Sequence, residues 1–516
     1  MDSAARSVLA PQYNGARSPG DRPISIMATL SEPPAASFAR LNQAYLKHLT
    51  PPTVRYVEVR ADLAGDVASE SLRAHVSGAL IYTLRSTAAG GDAADPADRR
   101  RARLIAAADR YDYVDLEADR DLHPDLLAAI PPERRVISWH GTAADLPHLR
   151  RRFDALATVQ ARLYRLVPRA ETLPQAALPL RLLKAIGRDD VMAYAQGPAG
   201  TWTRVLTAKY GAPVAPGRLD VPATAGGPPP DGEMPLPRLL ADYPDRLVSR
   251  AERLYGIIGA STTLSLATPA YNTACRSLDL PAVFLPFSTQ ELQGSLTELS
   301  ALLDDLGLPL CGATIVRPHK ETALALATDA SPLARRAQAA SLLLRTKDGW
   351  WADNEAAGVV ATLSGKGVDI AGRRIAVIGA GGAGRAAAAG LTQAGARVTL
   401  ANRGTRRGER AARLLGVPFV RLRDLDPKQF SVLVHATPVV DDPLLRLDGL
   451  DPTTVIFDLN YRAGDTPLVA AARAGGHVTI DGRDMLLAEL PRQFKLMTGR
   501  SMPAGEVAMA LAGTEG

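Results

Sequence analysis

The stretch Arg373-Arg374-Ile375-Ala376-Val377-Ile378-Gly379-Ala380-Gly381-Gly382-Ala383-Gly384-Arg385-Ala386, followed by Val398-Thr399-Leu400-Ala401-Asn402-Arg403, decides the fold of the second half of the chain. A short apolar strand runs into a glycine turn, an alanine-rich helix follows over 385–394, and a second strand ends on polar and basic residues. That is the layout of a βαβ dinucleotide site. A side chain at Gly379, Gly381 or Gly384 would hold a pyrophosphate away from the N–H groups at the helix start, so Gly379, Ala380, Gly381, Gly382, Ala383 and Gly384 form the expected cofactor turn. Sites for NAD usually end the second strand on an acid that holds the ribose. Here stand Asn402, Arg403, Arg406 and Arg407, and guanidinium groups suit a 2′-phosphate, so the expected cofactor is NADP.

Outward from this turn, 516 residues exceed one ordinary domain, and a composition of 46% hydrophobic and 22% charged residues is globular. The net charge of +6 comes without any basic stretch interleaved with aromatics, so neither nucleic acid nor membrane is expected as partner. Cys275 and Cys311 are too few for a disulfide framework or a four-ligand zinc site, and no metal is expected. With no apolar run of about 18 residues and no signal core, the expected compartment is the cytoplasm. The sequence leaves the oligomeric state open.

Residues 1–21 are rich in Ser, Ala, Arg, Gly and Pro without periodicity and read as a disordered leader. Order begins at 24–30, and strand-like runs recur at 54–60, 79–85, 113–117, 135–139, 162–167 and 191–195 with helical stretches between most of them. Repeated βα units over about 200 residues predict a (β/α)8 barrel, with its chemistry at the C-terminal strand ends. The segment Pro216 to Pro237 reads as a loop or linker, and a fresh strand at 254–259 opens a second α/β region. The expected units are 22–247, 248–355 and 356–516.

Several motifs of the second half stand in order: Pro318-His319-Lys320-Glu321, the glycine turn, Asn402-Arg403, His435-Ala436-Thr437-Pro438, Asp458-Leu459-Asn460-Tyr461 and Asp481-Gly482-Arg483-Asp484-Met485-Leu486. As a set they resemble shikimate dehydrogenases. In the first half, Glu58-Val59-Arg60, Thr83-Leu84-Arg85, Gly90-Gly91, Asp115-Leu116-Glu117, Ser138-Trp139-His140 and Thr203-Arg204 resemble type I 3-dehydroquinate dehydratase, itself a (β/α)8 barrel. The resemblance implies an α/β chain: a barrel, then a substrate-binding unit, then a Rossmann-type NADP unit. It also implies a fused enzyme of the shikimate pathway, which leads to chorismate and the aromatic amino acids, acting on small molecules.

By that resemblance Lys320 is the proton-transfer residue of an NADP-dependent oxidoreductase. Glu355 falls on the family's aspartate, with one extra methylene. Thr268, Ser341, Tyr461 and Glu489 fall on substrate positions, but Ser341 replaces an asparagine, Glu489 a glutamine, Val316 a threonine, and Leu266 stands where a serine is usual unless the register slips to Ser265. In the barrel, His140 matches the proton-moving histidine, and Glu58, Arg60, Arg85 and Arg204 could hold an anionic polyol. Arg165, however, stands at the position of the imine-forming lysine, and Ala89 replaces a glutamate. A guanidinium stays protonated and is a poor nucleophile, so imine-based dehydration is not expected. Two alternatives to shikimate oxidation follow from these departures: a quinate-type dehydrogenase, or a degenerate paralogue that binds NADP(H) or a pathway metabolite in a regulatory or scaffolding role.

Overall fold

The computed structural model describes residues 25–30, 54–73, 76, 78–219, 232–461, 464–506 and 508, so the expected leader at 1–21 lies outside the described residues. Eight strands, β1 (Ser25–Leu30), β2 (Val54–Arg60), β3 (Ala79–Thr83), β4 (Tyr113–Glu117), β5 (Arg135–Thr142), β6 (Leu163–Arg169), β7 (Val191–Ala193) and β8 (Val214–Arg218), form one sheet. Their order is β7-β6-β5-β4-β3-β2-β1-β8, and β1 pairs in parallel with both β2 and β8. The sheet therefore curls into a (β/α)8 barrel whose one missing ladder lies between β7 and β8.

Inside it, Met27, Ile81, Val136, Leu163, Val167, Met192, Tyr194 and Val214 form a separate apolar cluster. Strand alternation puts Arg165 on that same inner face, between Leu163 and Val167.

The eighth strand corrects the sequence reading. Pro216 and Gly217 lie within β8 rather than opening a loop, and a helix over Leu236–Asp242 begins before the expected loop ends. Among the described residues β8 has no ladder to β7, and away from β1 it bridges only through Arg218 to Pro235, so a proline without an N–H is tolerated at 216. A local pattern containing Pro and Gly hides such an edge strand.

A second sheet comprises β9 (Arg253–Gly259), β10 (Ala282–Ser288), β11 (Leu310–Ile315), β12 (Asp329–Ala330), β13 (Leu342–Thr346) and β14 (Gly349–Asp353), in the order β10-β9-β11-β13-β14-β12. Only β13 runs antiparallel to its neighbours. The third sheet is wholly parallel: β15 (Arg374–Ile378), β16 (Arg397–Asn402), β17 (Phe419–Arg421), β18 (Val432–His435), β19 (Val455–Asp458) and β20 (Val478–Ile480). Its order, β17-β16-β15-β18-β19-β20, is that of a Rossmann sheet, with the crevice outside the C-terminal ends of β15 and β18, where the order reverses.

The helix Gly482–Thr498 returns from the third sheet to the second, where Tyr255 Oη donates to the carbonyl of Met497 at 2.8 Å. Among the described residues, no helix is long and apolar enough to cross a membrane.

Candidate active sites

At the C-terminal mouth of the barrel, β2, β3, β4 and β6 each send one polar side chain inward. The register sets Glu58 beside Ile81, Thr83 beside Asp115 and Ser138 beside Arg165. Arg165 is fully buried; its Nη1 donates to Glu58 Oε1 at 2.5 Å and its Nη2 pairs with Asp115. Thr83 Oγ1 lies 2.8 Å from Glu58 Oε1, and Thr29 Oγ1 donates to Glu58 Oε2 at 2.9 Å.

Burial raises the Glu58 pKa, but Arg165 and Arg85 outweigh it and hold the carboxyl at about 2. Burial likewise disfavours the Arg165 cation, yet Asp115 and Glu58 more than compensate, so its pKa rises. The guanidinium is a permanent cation.

Around this triad the cavity is lined by Arg60, Arg85, Tyr194, Arg204 and Arg218. Arg60 is taken by Asp62 at 2.6 Å, whereas Arg85 and Arg204 form no ion pair among the described residues, and the Nε of each is buried without a partner. Arg204 lies over the Tyr194 ring at 4.5 Å. Both ring nitrogens of His140 are buried and unpartnered. Burial, then Arg85 and Arg165, push its pKa well below the ordinary value, so the imidazole is neutral. Several buried donors without acceptors describe a site for an anion. Sequence reading singled out Glu58, Arg60, Arg85, His140, Arg165 and Arg204 but gave Asp115 no role, and its register with Thr83 is what brings it to Arg165.

In the second sheet, β11 delivers Pro318-His319-Lys320 at its end and β14 delivers Asp353-Asn354-Glu355. Lys320 Nζ pairs with Glu355, which is 3% exposed, so the extra methylene does not separate the two groups. Burial raises the Glu355 pKa, but Lys320 lowers it further, and the net shift is downward. His319 Nε2 lies 2.9 Å from the Thr289 carbonyl, which anchors the turn.

Ser341 faces Glu355 without reaching hydrogen-bond geometry, and Thr268 Oγ1, Tyr271 Oη, Glu355 Oε2 and Glu489 Oε2 are likewise buried and unpartnered. Tyr461 is 40% exposed, with its hydroxyl near Ser265.

The glycine turn sits against this pair: a Cβ on Gly382 would lie 3.0 Å from Lys320 Cβ. Two of these glycines are also demanded by packing within the protein. A Cβ on Gly384 would stand 1.9 Å from the Gly379 carbonyl oxygen, and one on Gly379, at φ +123°, 2.8 Å from the Ala436 oxygen, so these serve helix–strand packing. Gly381 is the open one, meeting only Arg407 Nη2 at 3.9 Å.

Asn402 Oδ1 accepts from Ala380 N at 3.2 Å and steadies the turn, while Arg403 and Arg406 stand exposed with no ion pair among the described residues. Arg407 leans on Glu321 at 3.5 Å. Arg385, missed from sequence, clamps the turn to the substrate unit through Ala337 O at 2.7 Å and Glu321 at 2.9 Å. Also missed is a buried pair behind the turn, His435 Nδ1 and Asp458 Oδ1 at 3.0 Å.

The profile of the type I 3-dehydroquinase family matches residues 40–231. The chloroplastic bifunctional 3-dehydroquinate dehydratase/shikimate dehydrogenase of Arabidopsis thaliana is 26% identical over 458 residues, 82% of this chain and 73% of that protein. The shikimate dehydrogenase (NADP(+)) of Methanocella arvoryzae is 33% identical over 260 residues, 48% of this chain and 94% of that protein. A solved structure of the dehydroquinate dehydratase and shikimate dehydrogenase of S. pombe covers 96% of this chain and 99% of its own at 20% identity, with a TM-score of 0.42. The chain thus belongs to the shikimate dehydrogenase family, and ahead of that half its residues 40–231 match the type I 3-dehydroquinase profile.

Proposed function

We propose that the C-terminal half is an NADP-dependent oxidoreductase interconverting shikimate and 3-dehydroshikimate. The observation that carries this reading is the Lys320–Glu355 pair packed against the glycine turn. Bound NADP would accept or deliver hydride there. The open backbone at Gly381 and the unpaired guanidinium groups of Arg403 and Arg406 fit its pyrophosphate and 2′-phosphate.

Glu355, held ionised through Oε1, offers Oε2 as acceptor for the proton of the hydroxyl being oxidised. Lys320 Nζ, fixed by that same carboxylate, stands ready to stabilise negative charge on the substrate oxygen. The proposed units are the barrel at 22–247, the substrate unit at 248–355 and the nucleotide unit at 356–516.

The barrel, in the same reading, binds an anionic polyol through Arg85 and Arg204 without forming an imine. An imine requires an amine that loses its proton, and Arg165 is locked as a cation between Glu58 and Asp115. NADP reduction with shikimate and quinate, measured beside NADPH titration, tests the first part. Binding of NADPH without turnover of either compound would overturn it in favour of the degenerate paralogue. Borohydride treatment with 3-dehydroquinate tests the second, and a trapped covalent adduct would overturn it.

A further inference from the structure

The dehydrogenase pocket holds a second carboxyl. Glu489, on the helix Gly482–Thr498, is 5% exposed; its Oε1 accepts from Arg492 Nη1 at 3.1 Å and from Gln493 Nε2 at 3.2 Å, while its Oε2 has no partner. Glu355 repeats the pattern, with one oxygen on Lys320 and the other buried and free. Each carboxyl is pinned through one oxygen and presents the other. Gly358 makes room for this: a Cβ there would stand 2.3 Å from Glu489 Oε2.

Beside Glu355 lies the unpartnered hydroxyl of Ser341, and near Glu489 that of Tyr271. Buried polar atoms without partners are rare, and these four together mark the hydrogen-bonding outline of a ligand.

The charge balance narrows the ligand's chemistry. Groups facing Glu489 are Glu355 and Asp353 from the end of β14, Tyr271 from the helix Ala267–Ser277, and Arg492 on its own helix. Arg492 is shared with Asp353, and Lys320 is held by Glu355. Neither cation is left to meet an anion. Burial raises the Glu489 pKa to about 7, with Arg492 opposing and Glu355 and Asp353 adding to the rise. The barrel mouth, where Arg85 and Arg204 stand unpaired, has the opposite balance.

We propose that Glu489 is a specificity-determining residue of the dehydrogenase: with Glu355 it holds two neighbouring ring hydroxyls as donors, and it disfavours a carboxylate substrate relative to an uncharged polyol ring. This rests on the reading of the pocket as the site of a shikimate-like substrate and adds its charge preference. When Glu489 loses its proton the pocket gains an uncompensated negative charge, which a carboxylate substrate feels and a neutral one does not.

The test is titration of shikimate and of its uncharged methyl ester into the full-length protein with NADP+, for wild type and Glu489→Gln, at about pH 6 and about pH 8.5. NADP reduction is followed in parallel, and NADPH affinity confirms that the variant is folded. In wild type the Kd for shikimate should rise about tenfold with pH while that for the ester stays flat, and Glu489→Gln should abolish the rise. Equal pH dependence for both compounds, or its persistence in Glu489→Gln, would overturn the proposal while leaving the dehydrogenase reading standing. Absence of binding and turnover for both compounds would overturn that reading and the proposal with it.

Discussion

Replacing Arg165 with methionine, a side chain of similar length without charge, removes the cation that Glu58 and Asp115 share. Thr83 Oγ1 lies 2.8 Å from Glu58 and 3.4 Å from Asp115, so it keeps the two carboxylates close after the substitution. Removing one member of a buried ion pair leaves charge uncompensated and costs about 3–5 kcal/mol. In a folding unit of about 200 residues each kcal/mol moves the midpoint by about 2–4 °C, so the barrel transition should fall by about 6–20 °C near neutral pH.

The pH dependence has a definite sign. The Glu58 pKa is depressed from 4.5 to about 2 despite its burial, through Arg165 and Arg85. A depressed pKa contributes stability that is present above 4.5 and lost as pH falls towards 2. In Arg165→Met much of that depression disappears and a carboxyl protonates more readily, so the deficit relative to wild type should be largest near neutrality and narrow below about pH 5. Adding Glu58→Gln should recover part of it. Differential scanning calorimetry of the full chain across this range reads the effect. A loss under about 2 °C at neutral pH, or a deficit independent of pH, would refute the reasoning.

Gly384→Ala should weaken NADPH binding at least about tenfold and lower the midpoint of unfolding, because its Cβ would sit 1.9 Å from the Gly379 oxygen and the turn must open; fluorescence titration and calorimetry check both. Arg403→Ala with Arg406→Ala should cost about tenfold or more in NADPH affinity and leave NADH affinity unchanged, since each guanidinium acts on the 2′-phosphate alone. Lys320→Ala should lower kcat by at least about a hundredfold while NADPH still binds, a split that steady-state kinetics with parallel titration resolves.

Local patterns carried much of this fold. Seven barrel strands and the βαβ unit were legible because apolar alternation and the glycine turn are written in consecutive residues, whereas β8 was concealed by Pro216 and Gly217. The sites were legible by residue type rather than by partnership. Arg165 stood out as an arginine where an amine was needed, but its counter-charges come from positions 107 and 50 residues away. Register across three strands brings them together, and one strand read alone carries no sign of it. Glu489 appeared as a changed substrate position; that Arg492 and Gln493 would pin one of its oxygens follows from helical spacing, while the space left by Gly358 depends on the packing of two helices.

Packing couples the barrel to its neighbour independently of any imine chemistry. The helix Thr201–Leu206 places Arg204 at the barrel mouth and, two residues earlier, Trp202 in a fully buried position 5.3 Å from the Phe287 ring on β10. Beside it, the barrel helix Leu173–Ile186 packs on the helix Gln293–Asp305, with Arg181 3.1 Å from Asp305 and Lys184 on the Asp305 carbonyl. One apolar core runs through both units, from Val59 and Leu166 to Leu285 and Leu343. Phe287 precedes Ser288 and Thr289, and the carbonyl of Thr289 anchors His319 next to Lys320. Removing the barrel would expose the face on which that anchor is built. Packing therefore ties the dehydrogenase site to the barrel whether or not the barrel turns over a substrate, and the Arg204 helix joins the barrel mouth to that shared core.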